Sequence, residues 1–344
     1  LNAMSKAGSG CSADDVNDQG IVVKIQAIVD RLLKEFNENI QLFSELLEEF
    51  SEFMEVFNRR AALMEKRAVE VARGRDKLEN ARKKVSDEIV SRCTASADLP
   101  KVLQDLLLNS WANYLVISLL RNGDESIEWN AVLDLTDDLI WTVQPKKDEG
   151  ERHKLRERLP KLLDSVRVGL ELTGVLEVDV EKILSKLDFY HQAILTVPQE
   201  SAEKVQPTVK SKSSEERERE ILENMPKDWK LKAKKEDGET DETGTPEFKE
   251  KIILIKQQQK GAWFEFNDKE SGARKRGKLS WYNQNTLHYM FVNQSGRQVA
   301  VKTLYDLAHG MLGGEIKILP TDKSPLITRA FSAIHRRLKG GGSK

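Results

Sequence analysis

The chain has 344 residues, a formal net charge of −1, 39% hydrophobic residues and 32% charged residues. That length suits two or three domains of the usual ~100–200 residues. The composition excludes collagen-like and wholly disordered classes, and two cysteines, Cys11 and Cys93, exclude a disulfide framework and fit a reducing, cytoplasmic setting.

The near-neutral total hides a segregation. Residues 249–344 hold 18 Lys and Arg against 7 Asp and Glu, a net of +11, so the remainder carries −12. Such separation suits an anionic ligand or an acidic partner surface for the C-terminal part. No apolar run reaches the ~18 residues of a membrane span. Residues 1–19 lack the charged-then-apolar order of a signal peptide and read as tag-like, as does the glycine-rich tail 340–344.

Residues 20–93 read as helix. Ile25, Ile28, Val29, Leu32, Leu33, Phe36, Ile40, Phe43, Leu46, Leu47, Phe50, Phe53, Met54 and Phe57 step by three and four, read as a single stripe for a core or partner helix. From 58 to 84 charge dominates and the stripe thins to Leu63, Val69, Ala72 and Leu78, the pattern of a solvent-flanked helix with i,i+4 ion pairs. Its heptads are not sustained, so dimerisation through this long helix is an option that the spacing does not decide. Asp98 and Pro100 read as a helix start. Residues 102–120 are apolar all round, as in the central helix of a bundle, and Asn122-Gly123 ends them. Further helices are expected over 129–143, over 151–163 with Pro160 bending the helix or dividing it from Lys161 onward, and over 178–195, with Gly169 and Gly174 at close packing or ends. Residues 20–196 thus read as a helical bundle.

Residues 197–247 read as a charged, flexible linker, poor in aliphatics, with a short helix over 215–222 and Trp229 as an aromatic that could anchor it to a neighbouring domain. Beyond Phe248 the period changes from 3.6 to 2. Runs at 261–266, 276–282, 287–293 and 297–302 read as strands, with turn clusters at 267–272 and 293–296. A helix over 304–312, a strand over 315–319 and a closing helix over 325–338 complete a small antiparallel barrel, residues 248–339. The fold class expected is therefore multidomain α plus β.

The chemistry is less legible. His153, His191, His288, His309 and His335 share no metal-ligand spacing, no phosphate-loop or nucleophile-elbow motif occurs, and no nucleophile has a plausible base, so neither an enzyme nor a metal protein is expected. One constellation could bind an anion: Arg274, Arg276 and Lys278 in a basic run, with Asn293, Ser295 and Gly296 in a later turn. Guanidinium groups fork onto phosphates and stack on purines, and the turn adds donors where backbone comes close. The same residues also suit a solvated hairpin whose charges guard an edge strand.

Two groups of phrases carry a resemblance. Trp111, 139–147 (Leu-Ile-Trp-Thr-Val-Gln-Pro-Lys-Lys), Leu159-Pro160 and Gly169 form one; Trp263-Phe-Glu-Phe, 276–281, 289–293, Gly296 and 325–330 form the other. Both resemble the C-terminal half of the bacterial domain-of-unknown-function family 1631. The barrel in turn is similar to PilZ domains, which bind cyclic di-GMP through R-x-x-x-R and [DN]-x-S-x-x-G. Here Arg274 to Lys278 gives R-x-x-x-K, Gly296 falls two positions early, and the basic run sits inside a strand rather than ahead of the barrel. The resemblance implies that Arg274 and Lys278 contact phosphate or guanine and that Asn293 and Ser295 bind a base edge. The reading is a cytoplasmic, non-enzymatic regulatory or adaptor protein. Its barrel senses cyclic di-GMP or docks an acidic partner, and its helical region engages an unidentified protein. A pure interaction scaffold without nucleotide is the alternative; a nucleic-acid binder is disfavoured by the −12 elsewhere, and no cofactor is expected.

Overall fold

The computed structural model describes residues 19–35, 41–96, 99–146, 148–196, 213–226, 229, 245–267 and 273–319. Expectations for 1–18, Asp98 and the closing helix 325–338 lie outside these residues. The architecture is α plus β, and the chain divides into two compact units, one of residues 1–76 and 239–344 and one of 77–238. No helix among the described residues is long and apolar enough to cross a membrane.

In the first unit, helix α1 (Gln19–Glu35) is followed by the 55-residue α2 (Gln41–Ala95). Ile21 and Ile28 of α1 pack on Leu42, Leu46 and Phe50 of α2. The expected single stripe is split: Leu46 and Phe50 are buried, whereas Phe43 and Leu47 are 47% and 54% exposed. The later part of the unit opens with α3 (Pro246–Lys256), where Thr245 caps the Phe248 amide and Pro246 occupies the first turn. This helix occupies ground expected to be linker and the barrel's first residues. Strands β1 (Trp263–Asn267), β2 (Arg274–Tyr282), β3 (His288–Val292), β4 (Gln298–Thr303) and β5 (Ile316–Leu319) come next, with α4 (Leu304–Leu312) between the last two. They form one antiparallel sheet in the order β4-β3-β2-β1-β5. Phe264, Leu279, Tyr289 and Phe291 on one face join Phe248 and Ile255 of α3 and Leu304 and Leu307 of α4 in the core. Gly277 lies in that core because a Cβ there would stand 2.9 Å from that of Phe291.

The second unit is helical. The last turns of α2 bury Ala81, Val85, Ile89 and Cys93. Burial pushes the Cys93 thiol up to about 12, so it is an inert apolar filler. Then come α5 (Lys101–Asp105), a π-helical segment (Leu106–Trp111) and α6 (Ala112–Asn122), which ends at Gly123 with φ +85°. The wider π turn buries Leu106, Leu107, Leu108 and Trp111 together, and the Trp111 indole donates to the Thr136 hydroxyl at 2.9 Å. Helices α7 (Ile127–Thr142), α8 (Glu149–Leu172) and α9 (Glu177–Thr196) complete the bundle. Ser126 and Asp148 cap α7 and α8 by accepting from Trp129 and Glu151 amides. Pro160 does not divide α8; the helix runs through it to Leu172. Gly169 is a close-packing site, with Trp111 and Tyr114 carbons 2.9–3.0 Å from where its Cβ would be.

The segment expected as flexible linker is in part built into this bundle. Helix α10 (Ser214–Asn224) starts on a reciprocal capping box between Ser213 and Glu216, and Ile221, Met225 and Trp229 are buried in the bundle's core. Trp229 is 5% exposed, with the Arg82 guanidinium 5.8 Å from its ring, so its expected role as an aromatic anchor is met. Low average hydrophobicity hid the segment because only three side chains carry its burial.

Two ionisable groups are buried at the end of α7. Lys146 donates to the carbonyls of Trp141 and Gln144, closing the helix C-terminus, and burial lowers its ammonium to about 8. His191 is fully buried; its Nε2 lies 2.9 Å from the Thr142 hydroxyl, which itself donates to the Leu139 carbonyl. Nε2 is therefore the protonated nitrogen, and burial lowers the ring to about 4.

Candidate functional site

The residues expected to bind an anion lead to a seam between the sheet and the middle of α2. Strand β2 begins with the basic run. Arg274 is exposed at the strand's start, opposite Asn267, and Arg276 sits opposite Glu265, to which its Nε donates at 3.3 Å. Beyond them β2 carries a bulge: Lys278 pairs with Val292 and Leu279 with Phe291, but Trp281, not Ser280, pairs with Met290. A bulge adds one unpaired residue and shifts the in–out alternation. Leu279 and Tyr282 thus point into the sheet's core with Phe291 and Tyr289, while Lys278, Ser280, Trp281, Met290 and Val292 all face α2.

The helix meets them with Ala61, Glu65, Ala68, Val69, Ala72 and Asp76, spaced by one to four residues along one side. Ala68, Val69 and Ala72 pack against Trp281, Met290 and Val292, and Met290 and Val292 are wholly buried. Two carboxylates bracket this apolar patch, three turns apart. Glu65 accepts from Lys278 Nζ at 2.8 Å and from the Ser280 hydroxyl at 2.5 Å. Burial raises its carboxyl, but the hydrogen bonds from Lys278 and Ser280 outweigh this and hold it below the usual carboxylate range. Asp76, 5% exposed, accepts from Asn283 Nδ2 at 2.6 Å and lies 2.8 Å from His288 Nδ1. Every oxygen of the two carboxylates thus has a donor from the sheet, as burial of such groups requires.

The turn 293–296 closes the seam at its other end. The Asn293 side-chain oxygen accepts from the Ser295 hydroxyl at 2.8 Å and the Arg297 amide at 2.9 Å, which fixes the turn. Gly296, φ +79°, lies flat on α2: a Cβ there would overlap the Ala61 carbonyl and come within 2.8 Å of the Glu65 amide nitrogen.

Of the six expected residues, then, Lys278 and Gly296 touch the helix, Asn293 and Ser295 shape the turn that does so, and Arg274 and Arg276 lie further along β2. The reading of 58–84 as solvent-flanked overlooked one buried side. Alanines at 61, 68 and 72, on the same side of the helix as Glu65 and Asp76, were the available signal, a narrow low-relief stripe that charged neighbours obscured. What the arrangement accomplishes is binding: charge-assisted hydrogen bonds at either end of a dry patch. Among the described residues no cluster of His, Cys, Asp or Glu could hold a metal ion.

Comparison with known proteins gives two matches. Residues 71–188 match the model for the third domain of DUF1631, a protein of unknown function, and residues 252–319 match that for the C-terminal tudor domain of DUF1631. Together they span more than half of the chain. No curated protein and no solved structure matches it. The expected likeness of the sheet domain to PilZ is not supported, since its match is to a tudor domain. The physical counterpart is that the basic run lies inside β2, hydrogen-bonded to β1, rather than leading into the fold.

Proposed function

This chain belongs to the DUF1631 family, and we propose that it acts as a non-enzymatic regulatory scaffold whose tudor-like domain is an intramolecular docking module. A fold name assigns no ligand, so the reading rests on the site. The observation that carries it is the engagement of Lys278 and Gly296 by α2. An ammonium already held by a partly buried carboxylate is poorly placed to receive a phosphate, and a turn pressed on a helix backbone offers its amides to no ligand. The scaffold alternative therefore gains over the cyclic di-GMP reading. In this view partners are engaged elsewhere. The helical unit exposes Phe189 (79%) and Leu176 (72%), large apolar side chains of the kind that mark interaction surfaces when they cluster.

Calorimetric titration of cyclic di-GMP into the full chain tests the choice. No heat at millimolar ligand is the expected result. Low-micromolar binding that disappears in the Arg274→Ala/Lys278→Ala variant would overturn the scaffold reading in favour of a second-messenger receptor.

A further inference from the structure

Helix α2 also carries an apolar side that the sheet does not meet. Val56, Leu63, Met64 and Val71 are 47%, 58%, 43% and 52% exposed. At about 100° per residue, Val56 and Leu63 lie within about 20° of each other, roughly opposite Ala61 and Ala72, and Met64 and Val71 lie about 80–100° further round from Leu63. The four make one stripe about 22 Å long. A single exposed aliphatic side chain is ordinary, but four in line on one helix mark a surface for a partner. Gly74, further along the line of Val56 and Leu63, has open space where a Cβ would stand.

The stripe continues one that is already in use. Phe50, Phe57, Met64 and Val71 follow one another by sevens, which keeps them on nearly the same side of α2. Helix α1 packs on that side between Leu42 and Phe57, and its cluster ends there. Charge changes at the same place. Residues 41–57 contain five Glu and no Lys or Arg, and α1 brings Lys24 and Arg31 to Glu49. Residues 58–75 contain six Lys and Arg against Glu65 and Glu70, and Glu65 is held by Lys278 and Ser280.

Arg60 and Arg67 are exposed and stand between the two rows of the stripe, three or four residues from Val56, Leu63, Met64 and Val71. Neither has an ion pair among the described residues. A guanidinium set in an apolar stripe lays its stem on the neighbouring aliphatic side chains and forks onto a carboxylate. The pairing with α1 sets the pattern: the acidic half of α2 takes a helix that brings basic side chains, so the basic half suits a helix that brings acidic ones. A second copy of the stripe would set Arg60 and Arg67 against like charge. A nucleic acid would leave the four aliphatic side chains wet, and the stripe has no aromatic side chain to enter a lipid surface. We propose that Val56, Leu63, Met64 and Val71, with Arg60 and Arg67, dock an acidic amphipathic helix of a partner protein. The stripe is independent of how the sheet domain is read: cyclic di-GMP held at Arg274 and Lys278 would leave this side of α2 as it is.

The test is fluorescence anisotropy of a labelled peptide titrated with the full chain. The peptide has three heptads with Leu at a and d, Glu at e and g and Ala elsewhere. Binding in the micromolar range is expected, weakened at least about tenfold by Arg60→Glu/Arg67→Glu and at least about fivefold by Leu63→Ser/Val71→Ser. All four substituted side chains are exposed, and unchanged amide exchange across 61–76 reports that both variants fold. The same peptide with Lys in place of Glu is expected not to bind. No binding with the chain at about 1 mM overturns the proposal. So does equal binding of the Lys peptide, or binding that both variants retain, which would place the peptide on another basic surface. Phosphatidylserine vesicles or single-stranded RNA bound in the peptide's stead, and lost in the same variants, would assign the stripe to a lipid or a nucleic acid and overturn it as well.

Discussion

Gly296 and Ala61 meet backbone to backbone: a Cβ on the glycine would overlap the alanine's carbonyl oxygen. Gly314 offers the control, with φ +73° but open space where its Cβ would stand. Gly314→Ala and Gly296→Ala are both expected to lose about 1 kcal/mol from a left-handed backbone conformation that an L-residue resists. Gly296→Ala is expected to lose roughly 2 kcal/mol more, because a helix backbone cannot step aside as a side chain can. Native-state hydrogen exchange across 61–76 and 288–296 measures both. Equal effects of the two substitutions would show that the turn is not pressed on the helix.

Glu65 and Lys278 should be coupled. A double-mutant cycle of Glu65→Gln and Lys278→Met, read by exchange of the same amides, is expected to give about 1 kcal/mol, modest because both side chains keep some water. The folded carboxyl of Glu65 lies below its usual value of 4.5, so its contribution is complete above that value and is lost as pH falls through the lower folded one. Lys278→Met should flatten this acid dependence; an unaltered profile would contradict the pairing.

His191 makes the helical unit acid-sensitive in a different window. The ring binds a proton near 6.5 when unfolded but only near 4 when folded. Between those values the unfolded state holds the extra proton, so stability falls as pH drops from 6.5 to about 4, by up to about 3 kcal/mol. His191→Gln, which keeps a donor for Thr142, is expected to remove the slope. Thermal melts followed by far-ultraviolet dichroism at pH 7, 5.5 and 4.5 would reveal it, and a slope that survives the substitution would place the sensitivity elsewhere.

Trp229→Ala is expected to cost about 3 kcal/mol, as usual for deleting a buried indole. Amides of α10 should lose protection while those of β1 to β3 keep theirs. Retained protection in α10 would mean that Ile221 and Met225 hold the segment unaided.

Much of the fold was legible because it derives from period. The strands at 263–267 and 288–292, the stop at Gly123 and the close packing at Gly169 are each set by local pattern or by a residue with one steric meaning. Burial that rests on few side chains was not legible. Ile221, Met225 and Trp229 fix a segment whose average composition reads as solvent-exposed, and Ala61, Ala68 and Ala72 make a docking stripe from the least conspicuous apolar residue. The binding residues were legible by type but not by partner. A lysine, an asparagine, a serine and a glycine suit phosphate and suit a helix equally, and only the fold brings Glu65, more than two hundred positions away, within 2.8 Å of Lys278.

The extra residue in β2 acts as a parity switch. Gly277 and Leu279, two odd-numbered positions, belong to the sheet's core; Trp281, the next odd one, belongs to the helix side. Deleting Ser280 would restore simple alternation and leave Trp281 against α2 and Tyr282 in the core, because the bulge puts Ser280 and Trp281 on the same face. That deletion should cost chiefly the Ser280 hydrogen bond to Glu65, whereas deleting one residue of β2 outside the bulge would turn every side chain beyond it to the opposite face.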